Sequence, residues 1–131
     1  MNPDKFGHVS VIWPDKQEET LAVDVAGIII GLAHGHQANN PNAIPTWWAN
    51  QTHGGQAVGG ADILLTGHFH HLRVQPSGMN PLTGKSKWFI QGSTLDNGSD
   101  WYRYRAGSDS NPGLVVFTVG PDGWDNLRLL Q

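Results

Sequence analysis

The sequence contains no cysteine, which excludes disulfide bonds, thiolate zinc sites and cysteine nucleophiles. Charged residues are also scarce, at 15% of the 131 residues, and only eight residues are lysine or arginine. Affinity for a phosphate backbone comes from clustered cations, so this chain carries no strong nucleic-acid-binding surface. Any phosphate group bound here would need a metal ion or an imidazole to contact it.

Long apolar runs are absent as well. The longest apolar stretch, from Val25 to Ala33, is interrupted by Gly27 and Gly31 and is far shorter than a membrane span. No charged segment followed by an apolar run opens the sequence. We therefore expect a soluble, cytoplasmic protein with no membrane partner, and the length predicts a single domain over residues 1–131.

Short apolar segments bounded by turn residues predict a β-rich α/β fold. Alternating patterns predict strands at 6–13 and 20–25, paired as a hairpin. Two apolar runs, 28–33 and 62–66, predict strands that are buried on both faces. Between these runs, Pro45 predicts the start of a helix that ends before Gly59. The remaining pattern predicts strands at 72–75, 87–91, 114–119 and 126–130, and a loop at 97–113.

Histidine is concentrated in one region, because six of the seven histidines lie between positions 34 and 71. His34 and His36 directly follow the first buried strand, and His68 and His70 follow the second. In an extended segment, side chains two positions apart point to the same side. Each pair can therefore direct both imidazoles to one site, while Phe69 turns back into the core.

The two histidine motifs predict a metal site at the ends of neighbouring strands. Gly35 and Gly67 allow the backbone to turn sharply or to approach a ligand closely. Loops at the ends of buried parallel strands are also where open α/β sheets bind ligands. Imidazole is a suitable ligand for zinc, manganese, iron or nickel, so we expect a divalent transition metal.

These residues resemble the motifs of the calcineurin-like metallophosphoesterases. Gly67-His68-Phe69-His70 is similar to the Gly-His-x-His motif of that family, and Leu32-Ala33-His34-Gly35-His36 resembles its upstream His-Gly-His motif. Ile90-Gln91-Gly92-Ser93 resembles the Asn-Pro-Gly-Ser stretch that follows. The resemblance covers about residues 28–95. It implies that His34 and His68 bind one metal and that His70 binds the other. It also implies that His36 is the catalytic residue near the substrate phosphate, or else that it lies behind the ligands.

The resemblance implies the C-terminal half of the metallophosphoesterase αββα sandwich. The activity it implies is hydrolysis of a phosphodiester or phosphomonoester by metal-activated hydroxide. However, the family's Asp-x-His, Gly-Asp-x-x-Asp and Gly-Asn-His motifs do not occur in this sequence. Two divalent cations held by neutral imidazoles alone would repel each other without a bridging carboxylate. We therefore expect two ions only if a separate N-terminal half is supplied, and an isolated chain with little or no activity.

A mononuclear site of three histidines and water is the simpler alternative for the isolated chain. A different function class is a non-catalytic interaction module derived from the same fold. Both functions predict self-association or binding to a complementary N-terminal-half chain, because half a sandwich exposes one face of a sheet. A small β-barrel metal protein of the cupin type is less favoured, since no glutamate ligand follows the His-x-His motif.

Four further residues are candidates outside the metal ligands. His53 could line the site beside the ligands, but a solvated histidine on the helix is the favoured interpretation. His71 is expected at the surface or beside the ligands. Arg103 and Arg105 alternate with aromatic residues and could bind the substrate phosphate. The competing interpretation is an amphipathic loop in which these cations cover aromatic faces.

Overall fold

Strands dominate the structure, a computed structural model that describes residues 5–80, 83–95 and 112–131. The strands are β1 (Thr20–Val25), β2 (Ile28–Ala33), β3 (Ile63–Thr66), β4 (Arg73–Met79), β5 (Ser86–Gln91), β6 (Leu114–Gly120) and β7 (Gly123–Leu130). The first five form one sheet with the order β1-β2-β3-β5-β4, and β6 and β7 form a hairpin. The helix α1 spans Ile44–His53, and short 3₁₀ helices lie at Pro41–Ala43 and Ala57–Gly60. Among these described residues, no helix is long and apolar enough to cross a membrane.

The centre of the five-stranded sheet is parallel. β2 pairs in parallel with β3, and β3 pairs in parallel with β5. The outer strands β1 and β4 run antiparallel to their neighbours. The carboxyl ends of the three central strands therefore meet at one edge of the sheet, where both histidine motifs begin.

One face of the sheet is covered by α1. Trp48 and Ile44 of the helix are buried against Leu64 and Phe89 of the sheet. The indole Nε1 of Trp48 donates a hydrogen bond to the carbonyl oxygen of Val58 at 2.7 Å. Fully burying a large apolar side chain stabilises a fold by roughly 1.5–3 kcal/mol, so this cluster fixes the helix on the sheet.

The opposite face is covered by the β6–β7 hairpin. Three isoleucines, one from each parallel strand, are buried beneath it: Ile28, Ile63 and Ile90. The hairpin packs apolar side chains on them, namely Val115, Phe117, Val119, Trp124 and Leu127. The rings of Trp88 and Trp124 meet edge to face with centroids 5.1 Å apart. The result is a three-layer arrangement of helix, sheet and hairpin, in which the hairpin covers part of the face that the sequence predicted to be exposed.

The structure confirms most of the predicted elements. The strands expected at 20–25, 28–33, 62–66, 87–91 and 114–119 are present within one or two residues, and the strand expected at 126–130 begins earlier, at Gly123. The helix begins at Ile44, next to Pro45, but ends at His53 and not just before Gly59, because Gly54 and Gly55 interrupt it. The segment predicted at 72–75 continues to Met79 as β4, an edge strand that tolerates Pro76 and a register shift after it. Most of the loop predicted at 97–113, with Arg103 and Arg105, lies outside the described residues.

The predicted strand at 6–13 is wrong. This segment is exposed and forms no strand, and Trp13 has 83% of its surface in solvent. β1 instead forms a hairpin with β2 through Ala26 and Gly27, which both have positive φ (53° and 88°). Two consecutive positive-φ residues are typical of the two-residue turn whose twist matches that of the strands it joins. This turn allows β1 to pair with β2, the next strand along the chain.

Candidate functional site

The two histidine motifs touch each other at the carboxyl edge of the parallel strands. The amide nitrogen of Gly67 donates to the carbonyl oxygen of His34 at 3.0 Å. Gly35 has φ +113°, and a Cβ atom at this position would lie 3.0 Å from the Gly67 carbonyl oxygen and 3.2 Å from the Cβ of His68. Only glycine fits both the backbone angle and the space, so the contact between the loops depends on Gly35.

Three imidazoles come together across this contact. The ring centroids of His34 and His68 are 4.8 Å apart, and those of His34 and His36 are 5.2 Å apart. The Nδ1 atoms of His34 and His36 approach to 3.1 Å, a hydrogen-bond distance. His34 is therefore the central member of the group, with a neighbour from its own loop and one from the other loop.

The second histidine loop is not extended as the sequence analysis assumed. His68 and His70 both adopt left-handed backbone conformations, with φ of 67° and 61°. This conformation costs roughly 1–3 kcal/mol for each residue other than glycine, and such strain is concentrated at functional sites. Phe69 nevertheless turns towards the core, where it packs against the Trp48 cluster, as predicted.

The surroundings of His68 favour its neutral imidazole. Partial desolvation lowers its pKa below the ordinary histidine value, and the neighbouring His34, His36 and His70 lower the pKa further by charge repulsion. The neutral imidazole is therefore favoured near neutral pH, and this is the form that binds a metal ion.

The donor groups fit a metal site in chemical type but do not complete one. Across the described ranges 5–80, 83–95 and 112–131, no three histidine or carboxylate side chains are arranged to hold an ion. A four-coordinate zinc site needs at least three protein ligands. The adjacent His34 and His68 rings could supply two of these ligands.

One carboxylate reaches the cluster. The Glu19 Oε2 atom lies 3.6 Å from the Nε2 atom of His36. Glu19 is not among the residues predicted from the sequence, because the 20–25 strand was expected to pair with 6–13. The pairing of Thr20 with Ala33 in the β1–β2 hairpin would have placed Glu19 beside the first histidine motif.

The other sequence candidates lie apart from the cluster or outside the described residues. His53 ends α1 and lines a pocket of about 250 Å³ with Met79 and Lys87, at the edge of the sheet where β5 begins. The structure therefore places His53 at the edge opposite the histidine motifs. His71 is exposed, and its carbonyl oxygen accepts a hydrogen bond from the Gln91 side chain at 2.8 Å.

Comparison with known proteins identifies the fold. Wild-type Vps29 from Entamoeba histolytica, in a crystal structure complexed with Zn²⁺, matches with a TM-score of 0.54 and 21% identity over 86% of this chain and 53% of that chain. A single mutant of the same protein matches with a TM-score of 0.54 and 16% identity, over 94% and 67% of the two chains. A double mutant matches with a TM-score of 0.55 and 17% identity, over 90% and 64%.

No protein-family model matches the sequence, and no curated protein does. The chain spans about half the length of the zinc-complexed structure, at 53%. Within that length it has the mixed α/β, strand-rich, metallophosphoesterase-like fold of Vps29.

Proposed function

We propose that this chain is the C-terminal half of a metal-dependent phosphoesterase. Its His34, His68 and His70 imidazoles would bind a divalent transition metal, and its His36 would contact the phosphate ester substrate. The observation that carries the proposal is the approach of His34 to His68, 4.8 Å between ring centroids, at the carboxyl edge of the parallel strands. Ligands bind at this edge in open α/β sheets.

The missing half would complete both the ligand set and the fold. The β6–β7 hairpin is a sheet of only two strands, and two-stranded sheets are marginally stable by themselves. Leu114 and Leu130, at the open end of the hairpin, are 53% and 49% exposed. Strands from a complementary chain would extend the hairpin and bring the carboxylates that two metal ions require.

The candidate site residues of this chain would have separate roles. Neutral His34 and His68 would offer nitrogen lone pairs, and His36 would direct a ring N–H towards a phosphate oxygen. Gly35 and Gly67 would let the backbone approach closely enough to hold the rings together. The bound metal would supply Lewis-acid polarisation of the phosphoryl group. Arg103 and Arg105 would add charge contacts to the same phosphate.

A second candidate function is a non-catalytic interaction module of one domain over residues 1–131. The incomplete ligand set in the described residues favours it. So do the large apolar side chains left in solvent, among which Leu95 is 74% and Met79 is 66% exposed. Contiguous exposed apolar surface is typical of association sites. Under this function the chain would associate with itself or with a protein partner.

Metal content and hydrolysis separate the two functions. We expect protein purified without chelator to contain zinc, manganese, iron or nickel, and the variant carrying His68→Ala and His70→Ala to lose it. His53→Ala is the matched control, because His53 lies at the opposite edge of the sheet and should leave the metal content unchanged. Bis-p-nitrophenyl phosphate with added manganese then measures hydrolysis, which we expect to be slow for the isolated chain.

The outcomes are distinct. Metal that the double variant loses and the control retains supports the phosphoesterase half. Absence of metal from the wild-type protein, together with hydrolysis equal to the rate without protein, would leave the interaction module as the function.

A further inference from the structure

Segment 6–14, which precedes the five-stranded sheet, exposes strand-forming side chains to solvent. Its alternating residues Val9, Val11 and Trp13 are 49%, 55% and 83% exposed. Residues 9–13 pair with no β-strand in the part of the chain that the structure describes. The segment also contains no lysine, arginine, aspartate or glutamate. A run of this kind presents backbone hydrogen-bonding groups and apolar side chains that a further strand can cover.

The charged residues that flank segment 6–14 form a pattern that complements itself. The tripeptide Pro-Asp-Lys occurs on both sides of the segment. In an antiparallel pair of two copies with Ser10 opposite Ser10, Lys5 of each copy is opposite Asp15 of the other. Asp4 is then opposite Lys16. Opposite charges directly across a strand pair are stabilising, whereas an in-register parallel pair would place like charges together. The flanking charges therefore favour a second copy of the chain, in the antiparallel direction, as the partner.

The same register matches the apolar side chains. Val9 of one copy is opposite Val11 of the other, and Trp13 is opposite Gly7, which leaves room for the indole ring to cross the neighbouring strand. Because side chains two positions apart share a face, Val9, Val11 and Trp13 of both copies form one apolar surface. Cross-strand pairs of aromatic and β-branched side chains stabilise antiparallel strands.

We propose that segment 6–14 is an interaction surface for a second copy of this chain, and that the two copies pair antiparallel about Ser10. The proposal names the surface for the self-association expected above. It requires neither metal binding nor hydrolysis, so its test is independent of the proposed function.

Pairing along the whole segment requires the turn at 5–8 to open. In the single chain, the amide of Val9 donates to the carbonyl oxygen of Phe6 at 2.9 Å. An antiparallel partner replaces this hydrogen bond with bonds between the two chains. An isolated pair of strands is only marginally stable, so we expect a weak dimer that depends on protein concentration.

Sedimentation velocity in the presence of a chelator measures this dimer without association through metal ions. Lys5→Asp places carboxylates opposite each other and should weaken dimerisation by about tenfold. Adding Asp15→Lys to this variant restores opposite charges and should restore the wild-type affinity. Asp122→Lys is the matched control, because it makes the same change of charge in the exposed β6–β7 turn. We expect that Asp122→Lys does not rescue Lys5→Asp.

The absence of cysteine from the chain allows a direct test of the register. Ser10→Cys places one thiol at the centre of the proposed pair, where opposite residues are close enough for a disulfide bond. Ser86→Cys, at an exposed position of β5, controls for random collisions. Oxidation should link Ser10→Cys into a covalent dimer much faster than Ser86→Cys. Every substituted residue is exposed, so we expect all variants to fold as the wild-type protein does.

Three results would overturn the proposal. The first is a wild-type protein that stays monomeric at every concentration, which would leave segment 6–14 for a different chain. The second is a dimer that Lys5→Asp does not weaken, or that Asp15→Lys does not rescue. The third is equal cross-linking of Ser10→Cys and Ser86→Cys, because the two copies would then meet without this register.

Discussion

Replacing Gly35 with alanine tests whether the contact between the two histidine loops requires a residue without a Cβ atom at position 35. Gly35 has φ +113°, and an added Cβ would lie 3.0 Å from the carbonyl oxygen of Gly67. That oxygen belongs to the backbone of the neighbouring loop, so it cannot rotate away as the end of a flexible side chain would. Both the backbone angle and the steric contact therefore oppose the substitution.

The two costs can be separated with other glycines of the same chain. Gly55 also has positive φ, +70°, but an added Cβ would meet nothing within 4 Å. Gly55→Ala should therefore show the backbone cost alone, about 1 kcal/mol of unfolding free energy. Gly60 has open space and no such backbone angle, so Gly60→Ala should be neutral or stabilise the fold by up to about 1 kcal/mol. For Gly35→Ala we expect a loss of about 3 kcal/mol, because the backbone strain and the steric contact both contribute.

Urea unfolding followed by tryptophan fluorescence measures all three variants. The slope of the free energy against urea concentration should stay constant, so that midpoint shifts report stability. In the folded state, Gly35→Ala should also weaken zinc binding, since the His34 and His68 rings move apart. The reasoning is refuted if Gly35→Ala and Gly55→Ala lose the same stability, because the contact with Gly67 would then cost nothing.

Three further predictions concern the core, the pH dependence and the hairpin. Trp48→Phe removes the hydrogen-bond donor to the Val58 carbonyl oxygen. Urea unfolding should show an unfolding free energy lower by about 1–3 kcal/mol. An unchanged value would mean that the buried carbonyl oxygen needs no hydrogen-bond partner. The pKa of His68 is lowered in the folded state, so the unfolded state binds more protons below the ordinary value of 6.5. The unfolding free energy of the metal-free protein should therefore rise with pH up to about 6.5. His68→Asn should reduce this rise, and asparagine tolerates the left-handed backbone at this position. An equal rise in the variant would show that His68 is not its cause. Phe117 is only partly buried, so Phe117→Ala should cost up to about 3 kcal/mol of unfolding free energy. The variant should accelerate amide exchange in β6 and β7 more than in β3, and uniform acceleration would show that the hairpin does not open separately.

The local hydrophobic pattern was sufficient to predict the two strands that precede the histidine motifs. The apolar runs at 28–33 and 62–66 predicted β2 and β3, and the histidine motifs follow both strands directly. Burial on both faces selects continuous apolar sequence, which is a property of neighbouring residues. The strands predicted at 114–119 and 126–130 likewise correspond to β6 and β7.

Strand pairing was less predictable, because alternation identifies a strand without identifying its partner. The 6–13 segment alternates as a strand would, yet it remains exposed, and β2 pairs with β1 in its place. The same error concealed Glu19, whose position beside His36 follows only from the correct hairpin.

The sequence by itself determined where the histidine motifs occur along the chain and that each follows a strand, because residue type and local hydrophobic periodicity are properties of adjacent positions. It also determined that no cysteine and few carboxylates accompany them. Only the tertiary structure decided that Gly35 meets Gly67, that His34 lies between His36 and His68, and that His68 and His70 adopt left-handed backbone. The contacts of Gly35 with Gly67 and of His34 with His68 join residues about 30 positions apart in the sequence. Such contacts form only when the parallel strands align, which is why no local pattern specifies them.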